Sequence, residues 1–574
     1  MAHYSLPYSA GPFIFPSRKT EALSGLVAAR GVSILTWLIF PITLGLAITR
    51  QSLWIDEGST LWFATHTSFH SFFNSLVGTR GAPGDPQFIF YLLHMWGWVK
   101  LFGPSELSLR AANIPFAVIF IYTMRWASRR LFWHPNFWVL FCLSPFFWFY
   151  LNEARPYIAL LAFSSVASVA LLAYLIDPWR YRKYAPWLCL IALFLAWGTH
   201  ILAVFLFPVL LVLIATTIAA DPKLKTDFLR HWSRAALYCS PAFLALGTFY
   251  AWVSTNGVSK VDGNPGLGNL AFAVYEFAGF AGLGPPRNDI RQNLNFHVFL
   301  PYWPLLLLGA IALVAVIVSV FQTTSPRIVR NLFLSITVGL AVALVISKFQ
   351  HFQVLGRHLA VFFPLLLMLV MLAPKDSSFS PKASRTAAIP MIVLAIVWGI
   401  SDLRLVLMSQ YEKDSYREAC SIALAQARQD GAVILWAADP VLAKYYGLTI
   451  GPDRSEGFGS AIEASGWSLD QTNAYFASSS RSTILVLSKP DLYDKQGTWG
   501  GLIRRQEPAR VAQLNAVSIF EWQPRGGVAC SACSTQSPPP EYLMVESASR
   551  IYFPEQSVSP RMPFSFNLRP QPAR

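Results

Sequence analysis

Two adjacent carboxylates, Asp56 and Glu57, stand in the run Trp54-Ile55-Asp56-Glu57-Gly58. An ionised carboxylate can take a proton from a hydroxyl or ligate a hard cation. The pair therefore reads either as a general base with a helper or as ligands for a divalent metal such as Mg, Mn or Zn. The plainer alternative is an acidic loop in water. The neighbouring Trp54, Trp62 and Phe63 favour a segment packed at a membrane–water interface, where such rings concentrate. Asp85, in Gly84-Asp85-Pro86, is either a further acid of the same site or a turn-former before proline. Glu106 and Arg110 are four residues apart, the helical spacing of a structural ion pair.

Cations are available to answer these acids. Arg155 lies in Asn152-Glu153-Ala154-Arg155-Pro156-Tyr157. A guanidinium there matches two phosphate oxygens at once, or else anchors lipid head groups. A second basic cluster comprises Lys348, His351, Arg357 and His358. His200 interrupts a long apolar stretch and is either a packing residue or part of the site lining.

The elements that hold these residues are membrane helices. Charged residues make up only 13% of the chain and hydrophobic residues 54%, about half the charge of an ordinary soluble protein. Eleven spans are expected, near Leu26–Ile48, Asn113–Ala127, Asn136–Tyr150, Pro156–Ile176, Trp187–Thr199, Leu202–Ala219, Ala235–Ser254, Val298–Phe321, Asn331–Ile346, His358–Leu372 and Ala387–Leu407. Loops carrying Arg125–Arg130, Arg180–Lys183, Lys223–Arg234, Arg327–Arg330 and Lys375–Arg385 alternate along the chain on the side of Arg18 and Lys19. By the positive-inside rule that side is the cytoplasm. The net charge of +15 therefore belongs to inner loops and does not indicate a nucleic-acid partner.

The same rule places Asp56, Glu57, Asp85, Arg155, His200, Arg357 and His358 on the extracytoplasmic side. Basic residues kept on that side suit an anionic lipid-linked ligand. The chain divides into a cytoplasmic segment 1–25, a membrane domain 26–408 with outer loops 50–112 and 255–297, an extracytoplasmic α/β domain 409–523 and a Pro/Ser-rich tail 524–574. In the α/β domain, Tyr416–Arg428 and Leu469–Ala477 read as helices, and Ala432–Ala437 and Thr483–Leu487 as buried strands. Cys530 and Cys533 form a lone CxxC in the tail, without the two further ligands a zinc site needs.

The acidic pair after the first span resembles the GT-C glycosyltransferases. So do the helix with Tyr91-Leu92-Leu93-His94, the turn Leu101-Phe102-Gly103-Pro104-Ser105-Glu106 followed by Leu109-Arg110, and Ala154-Arg155-Pro156-Tyr157. The likeness is greatest to the bacterial branch related to dolichyl-phosphate-mannose protein mannosyltransferases and the lipid A aminoarabinose transferase. The resemblance implies an all-α polytopic GT-C membrane domain with a small α/β appendage, in the cell inner membrane. It implies transfer of a sugar from a polyprenyl-phosphate donor to a glycolipid, polysaccharide or protein acceptor, with inversion. Asp56 would be the general base, with Glu57 orienting it or helping to hold a metal. Arg155, Arg357 and His358 would stabilise the departing phosphate, with Asp85 and His200 lining the substrate site. Gly84-Asp85 departs from the family pattern, where many relatives have a His or a second Pro. A transporter or flippase would instead place its ionisable groups mid-span, and a non-catalytic envelope assembly protein would not need the intact acid pair.

Overall fold

A computed structural model describes residues 37–79, 82–131, 136–221, 223–256, 266–292, 296–323, 326–352, 354–371, 381–451 and 459–524. The expected segment 1–25, and the tail with Cys530 and Cys533 apart from Pro524, lie outside the described residues. Two compact units are present. One comprises residues up to Gln51, Ile55–Gly284 and Tyr302–Glu412; the other takes Ser52–Trp54, Pro285–Pro301 and the chain from Lys413 onward.

The first unit is helical. Among the described residues seven helices are long and apolar enough to cross a bilayer: Glu106–Arg130, Tyr157–Ile176, Ile201–Ala220, Leu224–Ser254, Phe296–Ser319, Ile328–Gln350 and Ile389–Leu407. Three shorter apolar helices, Trp37–Ala47, Ala185–Thr199 and Gly356–Leu369, accompany them. These coincide one for one with the expected spans, except for Asn136–Tyr150. That stretch is two short helices, Trp138–Cys142 and Pro145–Leu151, rather than one continuous helix. Pro145 has no N–H to continue the first helix, while its fixed φ suits the opening turn of the second.

Helix burial separates core from lipid. Tyr157–Ile176, which we label α1, has no charged residue and is buried on nearly every side, as expected of a helix apolar all round. Leu224–Ser254 instead exposes Leu237, Tyr238, Leu244 and Trp252. An apolar exterior over the part of the helix beyond Arg234 suits solvation by acyl chains. The end of the 255–297 segment is joined to the last span by close packing. Gly282 N–H donates to Ser401 Oγ (3.0 Å), Ser401 Oγ–H donates to Gly279 O (3.0 Å) and Trp398 Nε1–H to Ala278 O (2.9 Å).

The second unit is the α/β appendage. Its six strands are β1 (Val433–Ala437), β2 (Thr449–Gly451), β3 (Ser460–Glu463), β4 (Thr483–Ser488), β5 (Arg510–Leu514) and β6 (Val517–Trp522), in the order β2-β3-β1-β4-β6-β5. β1 pairs parallel with β3 and β4, while β6 pairs antiparallel with β4 and β5. The two central strands are the two that the sequence marks, because only strands buried on both faces read as continuous apolar runs. Helices Tyr416–Asp430 and Leu469–Ser478 fall where expected. The sheet edges are short and mixed in character, which leaves no comparable signature.

A Cβ on Gly282 would lie 2.1 Å from Ser401 O, whereas one on Gly97 would meet nothing within 4 Å. Gly282→Ala is therefore expected to lower stability by about 1–3 kcal/mol through overpacking, and Gly97→Ala to leave it unchanged or raise it by under about 1 kcal/mol. Thermal unfolding in one detergent checks the contrast.

Candidate functional site

Helix α2, Ile55–Ala64, carries both acids in its first turn. Successive residues on a helix point about 100° apart, so neighbours in sequence do not share a target. Glu57 turns inward and is fully buried. Its carboxylate accepts Arg110 Nε–H (3.0 Å) and Nη2–H (2.9 Å), together with Ala154 N–H (2.8 Å). Arg110 also donates to Thr49 O (3.0 Å) and Gln51 O (2.8 Å). The fork of Arg110 thus closes on Glu57 across the fold.

Asp56 points elsewhere. Its Oδ2 accepts Arg357 Nη1–H at 2.7 Å, and both side chains keep about a quarter of their surface (26% and 21%). Arg155 joins from the other side: its Nη1–H donates to Asp56 O (3.1 Å) and Thr60 Oγ1 (3.4 Å), and its guanidinium lies over the Phe88 ring, 4.6 Å from the centre. Asp56, Arg155 and Arg357, separated by up to 301 residues, are therefore brought to one place.

Arg155 is the unusual member. It is 7% exposed, its Nε–H has no acceptor, and among the described residues no carboxylate lies within ion-pair distance of it. A buried cation normally has an anionic partner. His200 lies beside it, its ring 4.8 Å from Phe88 and 6.1 Å from Tyr157. His200 Nδ1 accepts Leu202 N–H (3.1 Å), so the proton of a neutral ring must sit on Nε2, which is buried with no acceptor among the described residues. Two buried donors, Arg155 Nε–H and His200 Nε2–H, thus lack an acceptor among the described residues.

Asp85 caps the 3₁₀ turn Pro86–Phe88 without a side-chain cap bond, and its Oδ1 is buried with no hydrogen-bond partner. Burial pushes its carboxyl above the usual range, while the Arg155 charge and the Gln87 N–H pull it part of the way back. His358 Nδ1 accepts Leu355 N–H (3.1 Å), which fixes the ring at the entrance to the Gly356–Leu369 helix.

Sequence reasoning missed Glu276. It is 3% exposed, accepts the Tyr150 hydroxyl at 3.4 Å, and is packed so tightly that a Cβ on Gly356 would lie 2.1 Å from its Oε2. Its signal was a lone acid between two aromatics, Tyr275-Glu276-Phe277, in the 255–297 segment. Tyr150 and Tyr157, whose ring centres are 4.8 Å apart, carry the packing from Glu276 toward His200.

The donor set does not suit a divalent ion held jointly by Asp56 and Glu57. One carboxylate is bonded to Arg357 and the other takes three N–H donors, and they diverge around the helix. Among the described residues no three His, Cys, Asp or Glu converge in the manner of a metal site.

No family model matches the chain, and no curated protein does so. Solved structures similar to it include two of one protein. ArnT from Cupriavidus metallidurans in the apo state is 15% identical, over 86% of this chain and 98% of that one, with a TM-score of 0.44. ArnT bound to undecaprenyl phosphate is 12% identical, over 87% and 98%, with a TM-score of 0.47.

The opposite settings of the two acids separate their roles in stability. Glu57→Gln leaves Arg110 as a buried, uncompensated charge and is expected to cost about 3–5 kcal/mol. Asp56→Asn, at the partly exposed pair, should cost no more than about 1 kcal/mol. Equal losses in thermal unfolding would contradict the assignment of Glu57 to the scaffold.

Proposed function

We propose that this multi-pass membrane protein is a GT-C-type glycosyltransferase that moves a sugar from a polyprenyl-phosphate donor to a hydroxyl of an extracytoplasmic glycolipid, polysaccharide or protein. The observation that carries this reading is Arg155. It is a buried cation with no carboxylate at ion-pair distance among the described residues, bonded to the backbone of the residue whose side chain is the candidate base. A phosphate would supply the missing anion.

In the proposed step Asp56 takes the proton of the acceptor hydroxyl. The acceptor oxygen attacks the anomeric carbon, and the bond from that carbon to the phosphate oxygen breaks. The electron pair leaves with polyprenyl phosphate, which gains one negative charge as Asp56 becomes neutral. Arg155 and the His200 Nε2–H would meet that developing charge, where fixed donors lower the barrier most. Arg357 keeps Asp56 ionised and oriented before the step and can share its charge with the phosphate after it. His358 would hold the turn that presents Arg357, and Asp85 would bound the sugar pocket. Glu57 orients Asp56 by locking the first turn of α2. The fit to a metal held by the acid pair is poor, and no step is routed through one.

The test is turnover of a polyprenyl-phosphate sugar by protein purified in a membrane mimic, read as free polyprenyl phosphate. Asp56→Asn should lose at least about a hundredfold, the lower end of general-base contributions. Arg155→Met should lose about a hundredfold or more in kcat, as when a charge-stabilising donor is removed. Turnover equal to wild type in the Asp56→Asn variant would refute the proposed base.

A further inference from the structure

Tyr275-Glu276-Phe277 closes the helix Leu267–Phe277, and its acid has no part in the proposed transfer. A carboxylate is costly to bury, so what surrounds this one is informative. Three rings fix that end of the helix. Phe146, Phe277 and Phe363 form a triangle with ring centres 4.9 Å (Phe146–Phe277), 4.6 Å (Phe146–Phe363) and 5.6 Å (Phe277–Phe363) apart, spacings at which aromatic pairs attract. Phe363 directly follows the 3₁₀ turn Gly356–Phe362, which carries Arg357. The trio therefore docks the end of one element against the turn of another, and both belong to the helical unit.

The Glu276 side chain completes that contact. Its Oε2 and Cδ would lie 2.1 Å and 3.1 Å from a Cβ on Gly356, so the carboxylate fills the place of a side chain there. Gly356 does not have a positive φ, and its own backbone would accept another residue. Glycine at this position answers to Glu276 instead. Glu276 Oε1 accepts the Tyr150 hydroxyl at 3.4 Å, and the Tyr150 ring packs on both Phe146 (4.6 Å) and Tyr157 (4.8 Å). The carboxylate is thus held from behind. Within the turn, Leu355 N–H donates to His358 Nδ1 (3.1 Å) and His358 N–H to Leu355 O (2.9 Å). The backbone on either side of Arg357 is therefore constrained, by His358 from inside the turn and by Glu276 from outside it.

We propose that Glu276 is a positioning residue for Arg357, acting through Gly356, and that its shape and its bond to Tyr150 carry the role rather than any proton transfer. The proposal rests on the reading of Asp56 as the base. Arg357 follows Gly356 directly and donates to Asp56 Oδ2 at 2.7 Å. A shift of the Gly356 backbone moves the root of that side chain, and with it the carboxylate that the guanidinium orients. An ångström of displacement at a reacting group can cost about a hundredfold in rate. Glu276 touches none of the reacting atoms in this account; it acts on the residue that orients the base.

The experiment compares the full-length wild type in nanodiscs with Glu276→Ala, Glu276→Gln, Gly356→Ala and the double variant Glu276→Ala/Gly356→Ala. Two quantities are read: amide hydrogen exchange over residues 355–359, which needs no substrate, and the kcat and KM of polyprenyl-phosphate release. Glu276→Ala should speed exchange about fivefold, the worth of one net hydrogen bond. It should lower kcat about tenfold with the KM for the lipid donor unchanged, as expected when a reacting group is misplaced. Glu276→Gln keeps the volume and an acceptor for Tyr150, and should stay within about twofold of wild type in both quantities. Gly356→Ala should lower kcat by overpacking. The double variant removes the carboxylate that the new methyl would strike, leaving only the Ala273 Cα, at 3.3 Å, to give way. Its kcat should therefore exceed that of Gly356→Ala alone, the coupling expected of residues in contact. Losses that multiply in the double variant would overturn the contact, and unchanged exchange in Glu276→Ala would overturn the hold on the turn. Glu276→Gln as impaired as Glu276→Ala would overturn a role by shape, and faster exchange with unaltered kcat would overturn the positioning of Arg357. If the wild type transfers no sugar, the proposed function falls and the positioning role with it, while exchange in the same variants still decides whether Glu276 holds the turn.

Discussion

The Glu57 carboxylate and the Arg110 guanidinium meet with both side chains closed to solvent. A pair in that position is costly to bury and is stable only if its remaining valences are filled. Here Ala154 N–H fills one, and the carbonyls of Thr49 and Gln51 fill two more. The consequence is geometric. Residues 49–51, the first turn of the helix at Ile55, the turn before Arg155 and the helix end at Arg110 all converge on a single fork of charge. Once Glu57 is fixed inward, Asp56 must face about 100° away, toward Arg357.

That arrangement explains how one site can hold several cations and acids without neutralising itself. Arg357 is matched to Asp56 through its side chain, but Arg155 touches only the backbone carbonyl and a hydroxyl. Its charge is therefore fixed beside the candidate base without being cancelled by it. Ring contacts with Phe88, and through it with His200, hold the guanidinium in place by packing. In a medium of low polarity a preorganised cation of this kind interacts with an incoming anion far more strongly than it would in water.

The sequence displayed much of this, unevenly. Spans were legible because apolar length is a one-dimensional signal, and Asp56, Arg155 and Arg357 stood out as charges beside apolar runs. The break at Ser144-Pro145 was visible only as a proline within a hydrophobic stretch, which the window average concealed. The Arg110–Glu57 contact was not legible, since Glu57 is 53 residues distant. Nor does adjacency show that Asp56 and Glu57 face different partners, Arg357 and Arg110. The surroundings of Glu276 depend on long-range contacts, for which a single sequence carries no pattern. In the α/β unit only the strands buried on both faces announced themselves.

We propose that Arg155 receives a lipid-borne phosphate. The most direct measurement is the binding of undecaprenyl phosphate, without sugar, to wild type and to Arg155→Met in the same nanodiscs. Loss of one charge-assisted phosphate contact, about 1.5–3 kcal/mol, should weaken binding about tenfold or more in the variant while leaving its thermal stability unchanged or improved. Equal affinity in the two proteins would contradict the account.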